Sequence, residues 1–311
     1  MTDRTFRQPD TSSAGTERMG IWLVFAAALA ASLGGVFARF LHIDDNWTVV
    51  FWRSLWACAF LFAFMVWRDG VRGTIALLLA MRLPSFVVAL CFAIASTAFV
   101  VAIAHTTIAN VLLLLATVPL IAAGLAWAAF GERITLQTGL AIALVIVGVA
   151  VMVSDSFSGQ ISPTGDLLAL AICVSMAIAT VTTRRYAHVR MTPAVFVGVL
   201  LAGTLAAFNA ASLRVSGAEM AVLFAFGALN LGLSLALFVT GARLIPAALA
   251  ALISTGEPVM GPIWVWLVHG EEPSPRTLVG GAIVIAALLW HILRQMGGAR
   301  RRNGRGASGP V

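Results

Sequence analysis

The sequence places one acidic side chain, Glu257, deep inside a long apolar segment. The segment begins near Pro246, so about eleven residues at 1.5 Å each put the carboxylate roughly 16 Å into a membrane, near its midplane. Ionisable groups are costly there and are usually retained for function. Glu257 could therefore hold an ammonium group of a solute or exchange a proton. The alternative is a protonated or arginine-paired glutamate that fixes helix contacts.

The residues beside Glu257 favour an opened helix at this depth. Pro258 lacks an N–H and disrupts the hydrogen bond to the carbonyl of Ser254, while Gly256 leaves room for close backbone approach. Exposed backbone polar groups inside a membrane are tolerated where they line a cavity. The stretch Ser254-Thr255-Gly256-Glu257-Pro258 is therefore our main candidate for a binding or gating site.

Helical spacing places further side chains near this candidate site. Met260 and Trp264 share a face with Glu257, where they would contact an apolar or aromatic solute or simply pack in the bundle. Other polar or helix-bending residues occur at similar depth in other segments. Each alone is more often a helix–helix contact, but together they predict a polar seam. This set comprises Ser96, Thr117, Pro119, Ser175, Asn230 and Ser234.

Two arginines lie near the outer ends of the first two apolar segments. Arg39 and Arg53 could extend toward the membrane surface or pair with Asp44 or Asp45. Alternatively, they could capture a carboxylate at an outer vestibule, because a guanidinium matches the geometry of a carboxylate. The sequence leaves both interpretations open.

Composition identifies the elements that must position these residues. Of the 311 residues, 60% are hydrophobic and 11% are charged, and the mean hydropathy is +0.97. Soluble domains contain about twice this charged fraction, so a soluble globular protein is excluded. We predict an all-α polytopic membrane protein with ten transmembrane helices. They span roughly residues 20–41, 47–67, 84–104, 107–130, 134–153, 165–183, 192–213, 218–240, 246–269 and 275–296.

The distribution of arginine predicts the orientation of these helices. Sixteen of the twenty arginines fall in segments on the same side as the N-terminus, whereas only Arg214 and Arg276 fall in the opposite loops. Because cytoplasmic loops are enriched in basic residues, both termini are predicted to be cytoplasmic, in a cell inner membrane. Residues 1–19 form a polar N-terminal tail, and residues 297–311 form an Arg/Gly tail predicted to be disordered.

The chain repeats itself at a constant offset of 139 residues between 107–148 and 246–287. The matches include Pro119 with Pro258, Trp127 with Trp266, and Gly131-Glu132 with Gly270-Glu271. A weaker echo joins Gly20 to Gly165 and Arg39 to Arg184. Residues 20–153 and 165–296 would then be two five-helix repeats. Five is odd, so the second repeat is inverted, as in many secondary transporters.

These features resemble the drug/metabolite transporter superfamily. The stretch from Ala247 to Pro258, continued to Gly270-Glu271, is similar to the repeat unit of EamA-type ten-helix exporters. The resemblance extends to the aromatic amino-acid exporters of the YddG kind. It implies a secondary transporter that exports small organic solutes, above all neutral or aromatic amino acids, by alternating access. Other amphiphilic metabolites or drugs are the alternative cargo. This sequence departs from the pattern at Val118, which stands before Pro119 where the second half has Glu257.

Other functional classes lack their characteristic residues. A membrane-integral lipid-modifying enzyme remains a distant alternative, because the loops offer acidic pairs without a nucleophile or phosphate-binding loop. A channel would need a filter loop or a charged ring. His105 and His269 lack a third ligand at useful spacing, so no metal site is predicted. We expect no cofactor and no nucleic-acid partner. The expected partners are the lipid bilayer and a small-molecule substrate, with proton coupling left open.

Overall fold

The computed structural model is helical throughout the residues that it describes, which are 11–131, 136–157, 163–186, 189–242, 244–245, 250, 253–254 and 256–306. In chain order the helices are α1 (Thr11–Ser32), α2 (Gly34–Arg39), α3 (Asn46–Leu79), α4 (Leu83–His105), α5 (Ile108–Leu115), α6 (Val118–Phe130), α7 (Leu136–Phe157), α8 (Pro163–Arg185), α9 (Thr192–Asn209), α10 (Gly217–Phe224), a π-helix (Ala225–Leu233), α11 (Ser234–Gly241), α12 (Gly256–His269) and α13 (Pro275–Gly306).

Six segments of the described chain are long and apolar enough to cross a membrane, and the bent pair α5–α6 raises this number to seven. The predicted ten spans are therefore not confirmed. The described apolar stretches of α7 and α13, Gly139–Val151 and Pro275–Trp290, are shorter. Helix α12 has only 14 residues because it begins at Gly256, ten residues later than the apolar run.

The helices also differ from the predicted tails at both ends. Helix α1 begins at Thr11 and α13 continues to Gly306, so both extend into segments predicted to be a polar tail and a disordered tail. Once a helix has formed, each further residue adds one backbone hydrogen bond, so extension does not require an apolar face. Residues 1–10 and 307–311 lie outside the described part of the chain.

Proline marks the break between α5 and α6. The chain turns at Ala116 and Thr117, and Pro119 lies in the first turn of α6, where its missing N–H has no helical partner in any case. The axes of the two helices differ by 41°. The break therefore occurs at Pro119, the helix-bending residue that the sequence matches to Pro258.

A second irregularity is the π-helix, which interrupts the segment from Gly217 to Gly241. A π-helix is wider than an α-helix and is often found at functional sites. Its Gly227 lies directly against the backbone of Arg53, where a Cβ atom would overlap the Arg53 carbonyl group. The missing side chain thus allows this unusual turn to approach α3 closely.

Small residues also permit close packing of other helices. Helix α4 packs against α8 and α9, α3 against α9, α7 against α13, and α1 against α11. In the α4–α9 contact, a Cβ atom on Gly198 would overlap the carbonyl oxygen of Ala89 and lie 2.8 Å from Cβ of Phe92. Close approach of this kind is a general means of helix association in membranes.

We expect Gly198→Ala to destabilise the protein because the added methyl group separates α4 from α9. Overpacking of this kind costs about 1–3 kcal/mol, and thermal unfolding in detergent should show a lower midpoint. Gly124→Ala is the matched control, since a Cβ atom there meets no other atom within 4 Å and alanine favours a helix by about 1 kcal/mol. Equal midpoints for the two variants would contradict this account of the packing.

Candidate functional site

The predicted motif around Glu257 lies at the start of α12. Glu257 and Pro258 occupy the first turn of this helix, directly after Gly256, and Ser254 lies in a short helical piece before it. Thr255 lies outside the described residues. At the offset of 139 residues, Pro258 corresponds to Pro119 in the first turn of α6. Both repeats therefore begin a new helical segment at the matched proline.

The surroundings of Glu257 distinguish it from a packed core residue. Protein atoms enclose the side chain, yet it is only half-buried. Within the described chain, its carboxylate forms no hydrogen bond or ion pair. A charged group that is enclosed, accessible and unpaired is expected on the wall of an internal polar space rather than inside close packing.

The aromatic and sulfur-containing neighbours of Glu257 have different roles in packing. Trp264 donates a hydrogen bond from Nε1 to the Ser32 hydroxyl at 3.2 Å, which ties α12 to α1. Its ring packs against the largest buried cluster of the protein. Met260 is half-buried, one turn beyond Gly256. The polar end of Trp264 thus bonds to Ser32, and part of its ring packs in the core. The accessible part of the ring, two turns after Glu257, and the Met260 side chain are left as apolar surface on the same helix.

Most residues of the predicted polar seam form internal contacts. The Asn230 amide donates to the carbonyls of Ala30 and Ala31 at 2.7 and 2.9 Å, and Ser234 donates to the carbonyl of Leu231 at 3.1 Å. These two side chains join the π-helix to α1 and satisfy local backbone groups. The helix-contact interpretation therefore describes them well.

The serine and threonine residues that remain in the seam are buried, whereas Pro119 is half-buried. Thr117 is 1% exposed, and its hydroxyl lies next to the Cys173 thiol. Ser175 lies on the buried side of α8, and Ser96 on that of α4. In the structure Ser96 contacts Arg53, which the sequence placed near the outer end of the second apolar segment.

Arg53 does not extend to the membrane surface and does not pair with Asp44 or Asp45, so both of these interpretations are wrong. The residue is 5% exposed. Its Nη1 donates to the hydroxyl and the carbonyl of Ser96 at 3.3 and 3.4 Å. The rings of Phe99 and Phe226 lie 5.3 and 4.5 Å from the guanidinium carbon, as in cation–π contacts.

Asp45 has other partners, which explains why neither arginine reaches it. Its carboxylate accepts hydrogen bonds from the Thr48 hydroxyl at 2.8 Å and from the N–H groups of Trp47 and Ala211, both at 3.0 Å. Burial raises the pKa of this carboxyl group, but these hydrogen bonds outweigh that effect and hold the pKa below its usual range. Asp45 is thus an N-cap that holds α3 to the chain after α9.

Arg39 pairs across the two repeats rather than with a neighbouring aspartate. Its Nε donates to Oε2 of Glu271 at 2.7 Å, and its Nη1 donates to the carbonyl of Ile103 at 3.2 Å. The other oxygen of Glu271 accepts from the N–H of Ile108 at 3.0 Å, at the start of α5. One ion pair therefore closes the gap between the ends of α2, α4 and α12 and the start of α5.

Two contacts of His269 support this closed end. Its Nε2 lies 3.1 Å from the carbonyl oxygen of Val36, and its ring contacts Phe40 at 4.6 Å. His269, the last residue of α12, thus contacts both Val36 within α2 and Phe40 directly after it, next to the ion pair. Among the described residues, no three histidine, cysteine or acidic side chains converge in a metal-binding group.

The comparison with protein families agrees with the duplicated helical fold. The model of the EamA-like transporter family matches twice, over residues 18–154 and 163–293. The chain belongs to the EamA-like transporter family. It is therefore a multi-pass membrane protein built from two EamA repeats, and members of this family are transporters rather than enzymes.

Structural comparison finds the same fold in a solved structure. A solved crystal structure of a protein covers 93% of this chain and 99% of its own length, with a TM-score of 0.58 and 20% sequence identity. No curated protein matches the sequence. At this identity the solved structure supports the arrangement of helices and does not identify a substrate.

We expect Glu271→Gln to loosen the closed end, because the amide keeps an acceptor for Ile108 but removes the charge that pairs with Arg39. The probe is Val36→Cys, which is buried beneath the pair, after replacement of Cys58, Cys91 and Cys173. A maleimide that cannot cross the membrane is added from the side of Arg39. A partly exposed pair contributes at most about 1 kcal/mol, so labelling should accelerate by up to about fivefold.

Glu272→Gln is the matched control, because the neighbouring Glu272 side chain is exposed and forms no contact in the described structure. It should label at the parent rate. If both variants label equally fast, the Arg39–Glu271 pair does not hold this end closed.

Proposed function

We propose that this EamA-family protein is a secondary transporter that exports small organic solutes, chiefly neutral and aromatic amino acids, by alternating access of its two repeats. The proposal rests on one observation above all: each repeat starts a new helix at the matched prolines, Pro119 and Pro258, and one of these breaks carries an enclosed carboxylate that pairs with no described residue. Interrupted helices at a repeat interface are the usual substrate sites of secondary transporters.

The chemistry around Glu257 supports amino acids as the cargo. The unpaired carboxylate is suited to bind an ammonium group, and the ring of Trp264 and the side chain of Met260 offer apolar surface nearby. Thr117 contributes a buried hydroxyl at the equivalent break of the first repeat. A cationic group held beside an apolar side chain is the pattern expected for neutral and aromatic amino acids.

The closed end supports a direction for the transport cycle. With both termini cytoplasmic, as the arginine distribution predicts, the Arg39–Glu271 pair lies at the outer face of an inner membrane. A solute would then enter from the cytoplasm while the pair is formed. Release would require this pair and the His269 contacts to separate.

Counterflow in liposomes tests the substrate class directly. Purified protein is reconstituted with an unlabelled amino acid inside, and uptake of the labelled amino acid is measured for a panel of neutral, aromatic, acidic and basic members. We expect transient accumulation for neutral and aromatic amino acids, because they can place an ammonium group at Glu257 and an apolar group beside it. Exchange of amphiphilic drugs without exchange of any amino acid would replace the proposed cargo with the alternative one.

Glu257→Gln should reduce amino-acid counterflow by about tenfold or more, because loss of a buried charge partner is costly to binding. The amide keeps the size and hydrogen-bonding capacity of the side chain, so the thermal midpoint should remain near that of the wild type. Glu17→Gln, in the exposed first part of α1, controls for the loss of one carboxylate. Normal affinity, rate and pH profile in the Gln variant would assign Glu257 to a structural role.

Proton coupling is separable from this prediction. If Glu257 exchanges a proton during the cycle, an imposed pH gradient drives substrate movement in wild-type liposomes and fails to do so in Glu257→Gln. If Glu257 only holds the ammonium group, the gradient has no effect on either protein.

A further inference from the structure

Arg53 is a buried charge that lacks a carboxylate partner in the described structure. It is 5% exposed, lies within the membrane-spanning part of α3, and forms no ion pair there. Charged side chains inside a membrane are normally paired or face a polar space. Its contacts with Phe99 and Phe226 stabilise the cation but do not neutralise it.

The hydrogen bonds of Arg53 leave one edge of the guanidinium unused. Nη1 is occupied by Ser96. The Nε atom is buried and has no hydrogen-bond partner. Among the described residues, Nη2 has no hydrogen-bond partner either. Unlike Nε, it is not fully buried. The Nε and Nη2 atoms together form one of the two-donor edges that bind a carboxylate through parallel hydrogen bonds.

Three helical segments place this edge at one depth. Arg53 lies seven residues into α3, Ser96 nine residues before the end of α4, and Phe226 nine residues after the start of α10. At about 1.5 Å per residue, all three lie roughly 10–14 Å from the same end of the bundle. The site is therefore inside the protein, well below the Arg39–Glu271 pair, and is not a surface vestibule.

We propose that the Nε–Nη2 edge of Arg53 binds the carboxylate group of the transported solute, so that a carboxylate is a requirement for transport. The inference deepens the proposed function and rests on it. A monoanion matches the single positive charge, since Arg53 forms no ion pair with any described residue. A dianionic phosphate group would leave a negative charge without compensation among the aromatic rings.

Gly227 allows the π-helix to pack closely over Arg53. The π-helix approaches the backbone of Arg53 at this glycine, and the adjacent Phe226 covers the guanidinium. The Trp56 Nε1 atom, one turn from Arg53 on α3, is also buried without a partner. The surroundings of Arg53 thus supply apolar cover and spare N–H groups, and no carboxylate of the described residues forms an ion pair with it that would compete with a ligand.

The test compares a neutral amino acid with its carboxamide, which has nearly the same size and lacks the negative charge. In counterflow, wild-type protein should prefer the acid over the amide by roughly tenfold or more, as expected for a charge-assisted, two-bond contact. Arg53→Met should lose this preference. Arg214→Gln, which removes an exposed arginine near the same end, should keep it.

Thermal unfolding distinguishes a binding role from a structural one. Methionine can fill the space between Phe99 and Phe226, and removal of an unpaired buried charge should leave the midpoint of Arg53→Met equal to or above that of the wild type. Arg53→Lys keeps the charge but lacks the planar guanidinium that forms two parallel hydrogen bonds with a carboxylate. It should therefore show a reduced preference for the acid. A lower midpoint with an unchanged acid preference would overturn the proposal and make Arg53 structural.

Failure of this inference can be separated from failure of the proposed function. Wild-type protein that exchanges acid and amide equally well still transports amino acids, but it has no carboxylate site at Arg53. If no amino acid is exchanged, the thermal midpoint is measured with benzoate and with benzamide. A rise with benzoate alone that is lost in Arg53→Met would retain the carboxylate site, and no rise would overturn it.

Discussion

A charge inside a lipid bilayer cannot be solvated by water, and this constraint governs where the ionised side chains of this protein lie. Arg39 and Glu271 meet at the end of the bundle, and Asn110 pairs with the buried Asp166 between α5 and α8. Arg53 is covered by aromatic rings, whereas Glu257 is enclosed and unpaired. Within the described part of the bundle, Arg53 and Glu257 are thus buried or enclosed charges without an ion-pair partner, and both are suited to bind a solute.

The two repeats share their breaks but not their chemistry. Val118 and Glu257 occupy matched positions before the matched prolines, so only the second repeat brings a carboxylate to its break. The incomplete charge of the first repeat, Arg53, lies on a different helix and about 8 Å nearer the end marked by Arg39 and His269, by the rise per residue. A small zwitterion that uses both proposed contacts would therefore meet them one after the other along its path.

The sequence predicted local features well because they depend on local rules. Hydrophobic runs and prolines indicated an all-helical membrane protein with two repeats, which the family match confirms, and a new helix at each matched proline. It did not predict the partners of Arg39 or Arg53, because Glu271 and Ser96 lie 232 and 43 residues away. The π-helix has no proline or other sequence signal. Asn230 was predicted as part of the seam, but the carbonyls that it contacts belong to another helix.

The burial of Arg53 also has a consequence for the order in which the chain enters the membrane. Helix α3 leaves the ribosome before its stabilising contacts exist: Ser96 follows 43 residues later, and Phe226 belongs to the second repeat. An arginine costs about 2.5–3.5 kcal/mol to insert at the centre of an isolated helix, and Arg53 lies between the centre and the end of α3. Contacts with later helices lower this cost during assembly. The hairpin of α3 and α4 is the smallest unit that provides hydrogen bonds to this guanidinium. Its contact with Phe226 forms only after the second repeat has been inserted.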